Sequence, residues 1–242
     1  LGIALIYIVV ISALRMLWFL LINHNVSHAS LCYSQPFGGG KRVLILGDST
    51  AVGAGATAAK NSLAGRLGAN LPTCEIRNLG ENGARTMDIF KQIEPIKNEA
   101  FDLAIISVGG NDVWRFTPLE SLKTSLVLAI DEVNRLSNNH TILMVYSNIG
   151  QAPLFPTLFR MFLGRRAKIV RDLFIQIANE RGAFAIDLST KKKKKKDNPY
   201  RYYAKDRMHP NDAAYAIWHE DIWHYIAQDN LSCRLSDRPT PL

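Results

Sequence analysis

From residue 42 onward, short apolar runs alternate with longer segments of helical periodicity. Residues 42–46 (RVLIL), closed by Gly47, have the length and β-branched content of a buried strand. Residues 57–71 carry apolar positions at helical spacing and stop before Pro72. Residues 75–79 predict a second strand, and 86–96 a helix with Pro95 near its end. A third strand is predicted at 101–108 (FDLAIISV), closed by Gly109 and Gly110. The long amphipathic pattern at 118–136 predicts a helix with Thr117 as N-cap and Pro118 at its first position. Residues 141–146 (TILMVY) and 183–188 predict strands four and five. Helices are predicted at 163–181, ended by Gly182, and at 211–226.

Strands that alternate with helices form βαβ units, and continuous apolar strands suit a parallel sheet covered on both faces. Right-handed crossovers then give a three-layer α/β/α sandwich around a mostly parallel five-stranded sheet. Sites in such sheets lie at the carboxyl ends of the strands.

The first 22 residues break this pattern. LGIALIYIVVISALRMLWFLLI is nearly all apolar, and Arg15 is its one charge. About 20 apolar residues span a bilayer. A central Arg costs roughly 2.5–3.5 kcal/mol, which the surrounding Leu, Ile and Phe offset. An N-terminal hydrophobic helix at 1–23 is therefore expected, as a membrane anchor or a signal segment. The folded domain would then be periplasmic or extracellular, or secreted if cleavage follows Ser27-His28-Ala29. Residues 24–41 read as a polar linker, 42–230 as the folded domain and 231–242 as a tail with no assignable chemistry.

Of the 242 residues, 48% are apolar and 21% charged, which allows one domain with a sizeable core. The net charge is +8, but the lysine run 191–196 supplies six of these charges and leaves +2. That distribution gives no case for a nucleic-acid partner. The run reads as a solvated loop; its other reading, attraction to anionic phospholipid, is worth about 1 kcal/mol per Lys. Cys32, Cys74 and Cys233 are far apart, so neither zinc nor a dense disulfide framework is suggested.

The polar clusters fall just after the strands. They are Gly47-Asp48-Ser49-Thr50, residues 78–83 (NLGENG), Gly109-Gly110-Asn111-Asp112 and Asp206-Arg207-Met208-His209. A serine hydroxyl is a weak nucleophile until a base takes its proton. Ser49 falls on a strand-to-helix turn, where the partial positive charge of a helix start favours a developing oxyanion. A serine there can also simply cap the helix.

Of the six histidines, His24 and His28 lie in the linker, His140 starts strand four, and His219 and His224 lie in the last helix. His209 alone falls on a loop at the active edge. Asp206, three residues earlier, can fix its tautomer and stabilise its charged form. The bland alternative is a capping Asp beside a surface His. Oxyanion donors would be the Ser49 and Gly83 backbone N–H groups and the Asn111 amide, with Gly80 a rival to Gly83. Asn and Gly also serve ordinary turns.

In this order the four clusters resemble the signature blocks of the SGNH subgroup of GDSL-type esterases and lipases. The resemblance spans residues 42–228, with Thr50 standing where the motif's name has Leu. It implies an SGNH-hydrolase, flavodoxin-like fold and a catalytic set of Ser49, Asp206 and His209. The implied oxyanion hole is Ser49, Gly83 and Asn111, with no metal or organic cofactor. The expected substrate is a small-molecule, lipid or carbohydrate ester. The expected activity is hydrolysis of a carboxylic ester or thioester through an acyl-enzyme. Acyl transfer by the same residues is one alternative, and a catalytically silent membrane-tethered binding module is another.

A Walker loop is missing, since no Gly-Lys-Ser/Thr follows strand one. Strand two ends in Asn78-Leu79, without the acidic residue of a dinucleotide site. The elbow G-x-S-x-G fails because Ala51 stands two residues past Ser49. The apolar segment 152–163 (APLFPTLFRMFL) reads as an acyl-binding wall or membrane-facing lid, or else as a buried loop and helix start. Arg165 and Arg166 read as anion contacts or as a solvated helix face.

Overall fold

The computed structural model describes residues 30–145, 148–188 and 199–228, together with Tyr7, Val10, Ile11, Leu14, Leu17, Trp18 and Leu21. Its five strands are β1 (Arg42–Gly47), β2 (Glu75–Asn78), β3 (Leu103–Ser107), β4 (Thr141–Val145) and β5 (Phe184–Asp187). They form one sheet in the order β2-β1-β3-β4-β5, and every pairing is parallel. The central strands β3 and β4 are buried at every position, whereas the edge strand β2 alternates. That difference follows from covering both faces of a parallel sheet.

The helices are α1 (Ser49–Val52), α2 (Leu63–Asn70), α3 (Ile89–Ile93), α4 (Gly110–Trp114), α5 (Leu119–Leu136), α6 (Thr157–Glu180) and α7 (Asp212–Gln228). One face of the sheet (Leu44, Leu46, Ile106, Leu143) packs with Ile89, Leu126, Ile130 and Phe174 of α3, α5 and α6. The other (Val43, Ile45, Ile105, Met144) packs with Leu67 of α2 and Ile222 of α7. The result is the expected α/β/α sandwich. The chain leaves β1 toward β2 and returns to β3 on its other side. The carboxyl ends of β1 and β3 are therefore a topological switch point, where open α/β sheets bind ligands.

Several boundaries differ from expectation for local reasons. The helix predicted at 57–71 begins only at Leu63, after Ser62 caps it by accepting from the Gly65 N–H. Thr57 is instead tied to Asp212 at the start of α7, through its backbone N–H (2.8 Å) and its hydroxyl (2.5 Å). Thr117 does not cap α5. Pro118 occupies that place in an extended conformation, with no side-chain cap bond. Pro118 favours extended backbone before it, and Thr117 joins the loop leaving α4, its N–H donating to the Asp112 carbonyl. Arg166 is neither an anion contact nor a solvated face. It turns inward, its guanidinium donating to the carbonyls of Val113, Asp112 and Thr117, while Arg165 stays exposed.

The stretch read as linker is bonded to the domain over part of its length. Gln35 exchanges two backbone hydrogen bonds with Ile76 at the open edge of β2. Its side chain donates to the Leu71 and Cys74 carbonyls at 2.8 and 2.7 Å.

Of the expected hydrophobic helix at 1–23, the seven described positions are helical, and the remainder lies outside the described residues. Among the described residues no helix is long and apolar enough to cross a membrane. The lysine run 191–196, Cys233 and the tail 231–242 also lie outside them.

Candidate active site

Gly47 ends β1 opposite Ser107, which ends β3. Gly47 adopts φ +139°, and a Cβ there would come within 1.9 Å of the Ser107 carbonyl oxygen. Only glycine lets the two strand ends approach so closely. Gln92, buried in α3, clamps this point by receiving the Gly47 N–H and donating to the Gly47 carbonyl, each at 2.8 Å. No pattern in the sequence marked Gln92, because a polar residue on a short amphipathic helix reads as surface.

Ser49 opens α1. Asp48 caps the helix, its carboxylate accepting from the Thr50 N–H at 2.9 Å and the Thr50 hydroxyl at 2.6 Å. The Thr50 hydroxyl also meets that of Ser107 at 2.7 Å. The departure from Leu at position 50 therefore comes with its own buried partners. Behind the helix, the fully buried Tyr215 of α7 donates to the Ala54 carbonyl at 2.9 Å. Burial raises its phenol pKa well above the ordinary value, with the Asp48, Asp206 and Asp212 charges adding to the effect.

The loop after β5 brings the imidazole to the hydroxyl. His209 Nε2 lies 3.0 Å from Ser49 Oγ, and His209 Nδ1 lies 2.5 Å from Asp206 Oδ2. The second Asp206 oxygen accepts the Met208 and His209 backbone N–H groups at 2.9 and 3.0 Å. Those two bonds close the turn, with Arg207 at φ +60°. Burial pushes the Asp206 carboxyl up. The hydrogen bond and charge of His209, with the backbone donors, outweigh that and hold it below its ordinary value. Asp206 thus stays an anion, able to orient the ring and balance its charge.

Two further loops reach this edge. The Glu81 N–H donates to the Gly47 carbonyl at 2.9 Å, which ties the second block beside Ser49. Gly83 sits at φ +81°, a conformation that suits glycine. Gly80 packs against α1, where a Cβ would meet that of Ala51 at 2.8 Å. From the third block, Asn111 Nδ2 donates to the Ala84 carbonyl at 2.9 Å, and Asn111 Oδ1 accepts the Trp114 indole N–H at 3.1 Å. Its neighbour Asp112, 1% exposed, accepts the Thr86 N–H and hydroxyl at 2.9 and 2.8 Å. Adjacent residues of the third block therefore hold both ends of the turn after Gly83.

The segment 152–163 borders this edge, the Leu154 N–H donating to the Arg207 carbonyl at 3.3 Å. Ala152, Leu154, Phe155 and Leu163 are spent in the core, while Met161 and Phe162 are exposed. Trp18, from the apolar N-terminal run, lies 5.9 Å from the Arg207 guanidinium carbon. Among the described residues no cluster of His, Cys, Asp and Glu is arranged to hold a metal ion.

A family model described as the GDSL-like lipase/acylhydrolase family matches residues 45–217. The fold is similar to a member of the lipolytic G-D-S-L family from Veillonella parvula (TM-score 0.65, 17% identity, 77% of this chain and 98% of that one). It is also similar to an acetylxylan esterase from Geobacillus stearothermophilus, solved as a catalytic mutant (TM-score 0.58, 22% identity, 79% and 96%). A third similar structure is the psychrotrophic esterase EstA from a Pseudoalteromonas species (TM-score 0.58, 18% identity, 78% and 97%). At these identities the likeness is one of fold. No curated protein sequence matches the chain.

Proposed function

This chain belongs to the GDSL-like lipase/acylhydrolase family and is an ester hydrolase of that family, and we propose that it cleaves carboxylic esters through an acyl-enzyme on Ser49. The observation that carries the reading is the unbroken relay from Ser49 Oγ through His209 to Asp206, at 3.0 and 2.5 Å. His209 Nε2 takes the Ser49 proton as Oγ attacks the ester carbonyl. The oxyanion is met by the Ser49 N–H, the Gly83 N–H and the second N–H of Asn111. His209 then gives the proton to the departing alkoxide. Water, deprotonated by the same nitrogen, attacks the acyl carbonyl, and His209 returns that proton to Ser49 Oγ as the acyl–Oγ bond breaks and the carboxylic acid leaves.

A short acyl group is the proposed substrate feature. The apolar residues that suggested a long-chain wall are largely consumed by the core, since Leu154, Phe155 and Leu163 are buried there. Some fold neighbours are acetylxylan esterases, which makes an acetylated carbohydrate a reasonable first class to assay. A fluorophosphonate probe with peptide mapping tests the nucleophile, and labelling anywhere but Ser49 rejects it. Comparing p-nitrophenyl acetate, octanoate and laurate tests chain length, and higher kcat/KM on the longer esters rejects the short-acyl reading.

We propose, as a separate point, that the apolar run 1–22 tethers the catalytic domain to a membrane. Its composition supports this, with 22 nearly all apolar residues and Arg15 as the one charge. Carbonate extraction of membranes carrying the full chain is the test; release into the soluble fraction argues against a tether.

A further inference from the structure

A side-chain amide can stabilise an oxyanion only if its nitrogen, not its oxygen, is presented and if it is held without rotation. In this protein both ends of the Asn111 amide are held. Nδ2 donates one N–H to the Ala84 carbonyl at 2.9 Å, and Oδ1 accepts the Trp114 indole N–H at 3.1 Å. Indole nitrogen is only a donor, so its partner must be the amide oxygen, which fixes the orientation of the group. The remaining Nδ2 hydrogen is the one left for a ligand. Trp114 is itself restrained, its ring packed against the core cluster formed with α3, α5 and α6. It also sits one helical turn after Asn111 in α4, the spacing that lets an i+3 side chain reach back to i.

We infer that Trp114 is a positioning residue for the oxyanion hole, acting through Asn111. The inference rests on the proposal that Asn111 is an oxyanion donor. The Ala84 carbonyl, next to Gly83, extends the same network to the second proposed donor. Trp114, Asn111 and the turn after Gly83 therefore act as one unit, and the indole sets the direction of the amide. Trp114 acts through the Asn111 amide, to which its indole N–H donates. Its loss should lower the rate of the chemical step without weakening substrate binding.

A double-mutant cycle on the full chain, assayed with p-nitrophenyl acetate, separates this from a structural role. Trp114→Phe keeps an aromatic ring and removes the N–H. It should lower kcat by about 3- to 10-fold with KM changed less than twofold. Asn111→Ala should lower kcat by about 100-fold or more. In the Asn111→Ala background, Trp114→Phe should have no further effect. An equal fold-loss in both backgrounds, or no loss in the native one, overturns the inference. Should Trp114→Phe lower the melting temperature sharply, a benzothienylalanine at position 114 replaces only the N–H with sulfur, and the same cycle applies. Full activity in Asn111→Ala alone would instead reject the oxyanion role of Asn111, and this inference with it.

Discussion

Ser49 Oγ and His209 Nε2 meet at 3.0 Å although 160 residues of chain separate them. The short Asp48–Ser49 turn after β1 and the closed turn at residues 206–209 each put one group on the same sheet edge. Under the proposed mechanism Asp206 orients the imidazole of that pair. Asp206→Asn keeps the shape but presents an amide to Nδ1, favouring the wrong imidazole tautomer. By analogy with the serine-protease triad, kcat should fall by about 10²–10⁴-fold with little change in KM. Steady-state kinetics of the variant check this, and a loss under threefold would mean that Asp206 only shapes the turn.

Thr50 and Ser107 make a buried polar pair where the family motif's name has Leu. Thr50→Val keeps the volume but strips two hydrogen bonds, one of them to the Asp48 carboxylate. Stability should drop by about 1.5–3 kcal/mol. Adding Ser107→Ala should recover part of that, because the Ser107 hydroxyl is then no longer buried facing a methyl group. Urea unfolding of Thr50→Val, Ser107→Ala and the double variant measures both numbers. Strict additivity of the two losses would show that the pair is not coupled.

Gly55 presses against the His209 loop at φ +86°. A Cβ there would stand 2.4 Å from the Pro210 carbonyl oxygen and 3.0 Å from the His209 Cβ. Gly55→Ala must therefore move the imidazole or unfold the turn. A displacement near 1 Å costs about 100-fold in rate, so kcat should fall on that order while the Ser49 side of the site stays intact. A crystal structure of the variant with His209 unmoved and kcat unchanged would contradict this.

The sheet and the four loops after its strands were legible because both depend on local pattern. Continuous apolar runs marked the strands, and glycine with polar residues marked their ends. What escaped depends on contacts distant in sequence. Gln92 looked like a surface residue of a short helix, yet it completes the backbone bonding of Gly47 from 45 positions away. Nothing in the local pattern singles out Tyr215, whose hydroxyl bonds to the Ala54 carbonyl beside α1 across 161 positions. Arg166 reads from sequence as an anion contact or a solvated face, because nothing local shows that the carbonyls at the end of α4 lie within its reach. Thr117 was misplaced by a rule of thumb that fits most Thr-Pro helix starts but not one whose Thr is already used in the preceding turn.

His219 gives the fold a pH dependence separate from catalysis. It lies in α7, with Nε2 buried and without a hydrogen-bond partner among the described residues. Burial lowers its pKa from the ordinary 6.5, the nearby Arg66 charge adds to this, and Glu220 opposes it. The folded state therefore binds this proton less readily than the unfolded chain does. Above about pH 6.5 neither state is protonated there and the group costs nothing. As pH falls below that value the unfolded chain gains a proton first, and stability declines until the pH reaches the lowered folded value. His219→Gln removes the titration and keeps a polar side chain of similar length. The loss of melting temperature between pH 7.5 and pH 5 should be smaller in the variant than in the native protein. Parallel melting curves across that range decide the matter, and identical slopes would assign the acid sensitivity to other groups.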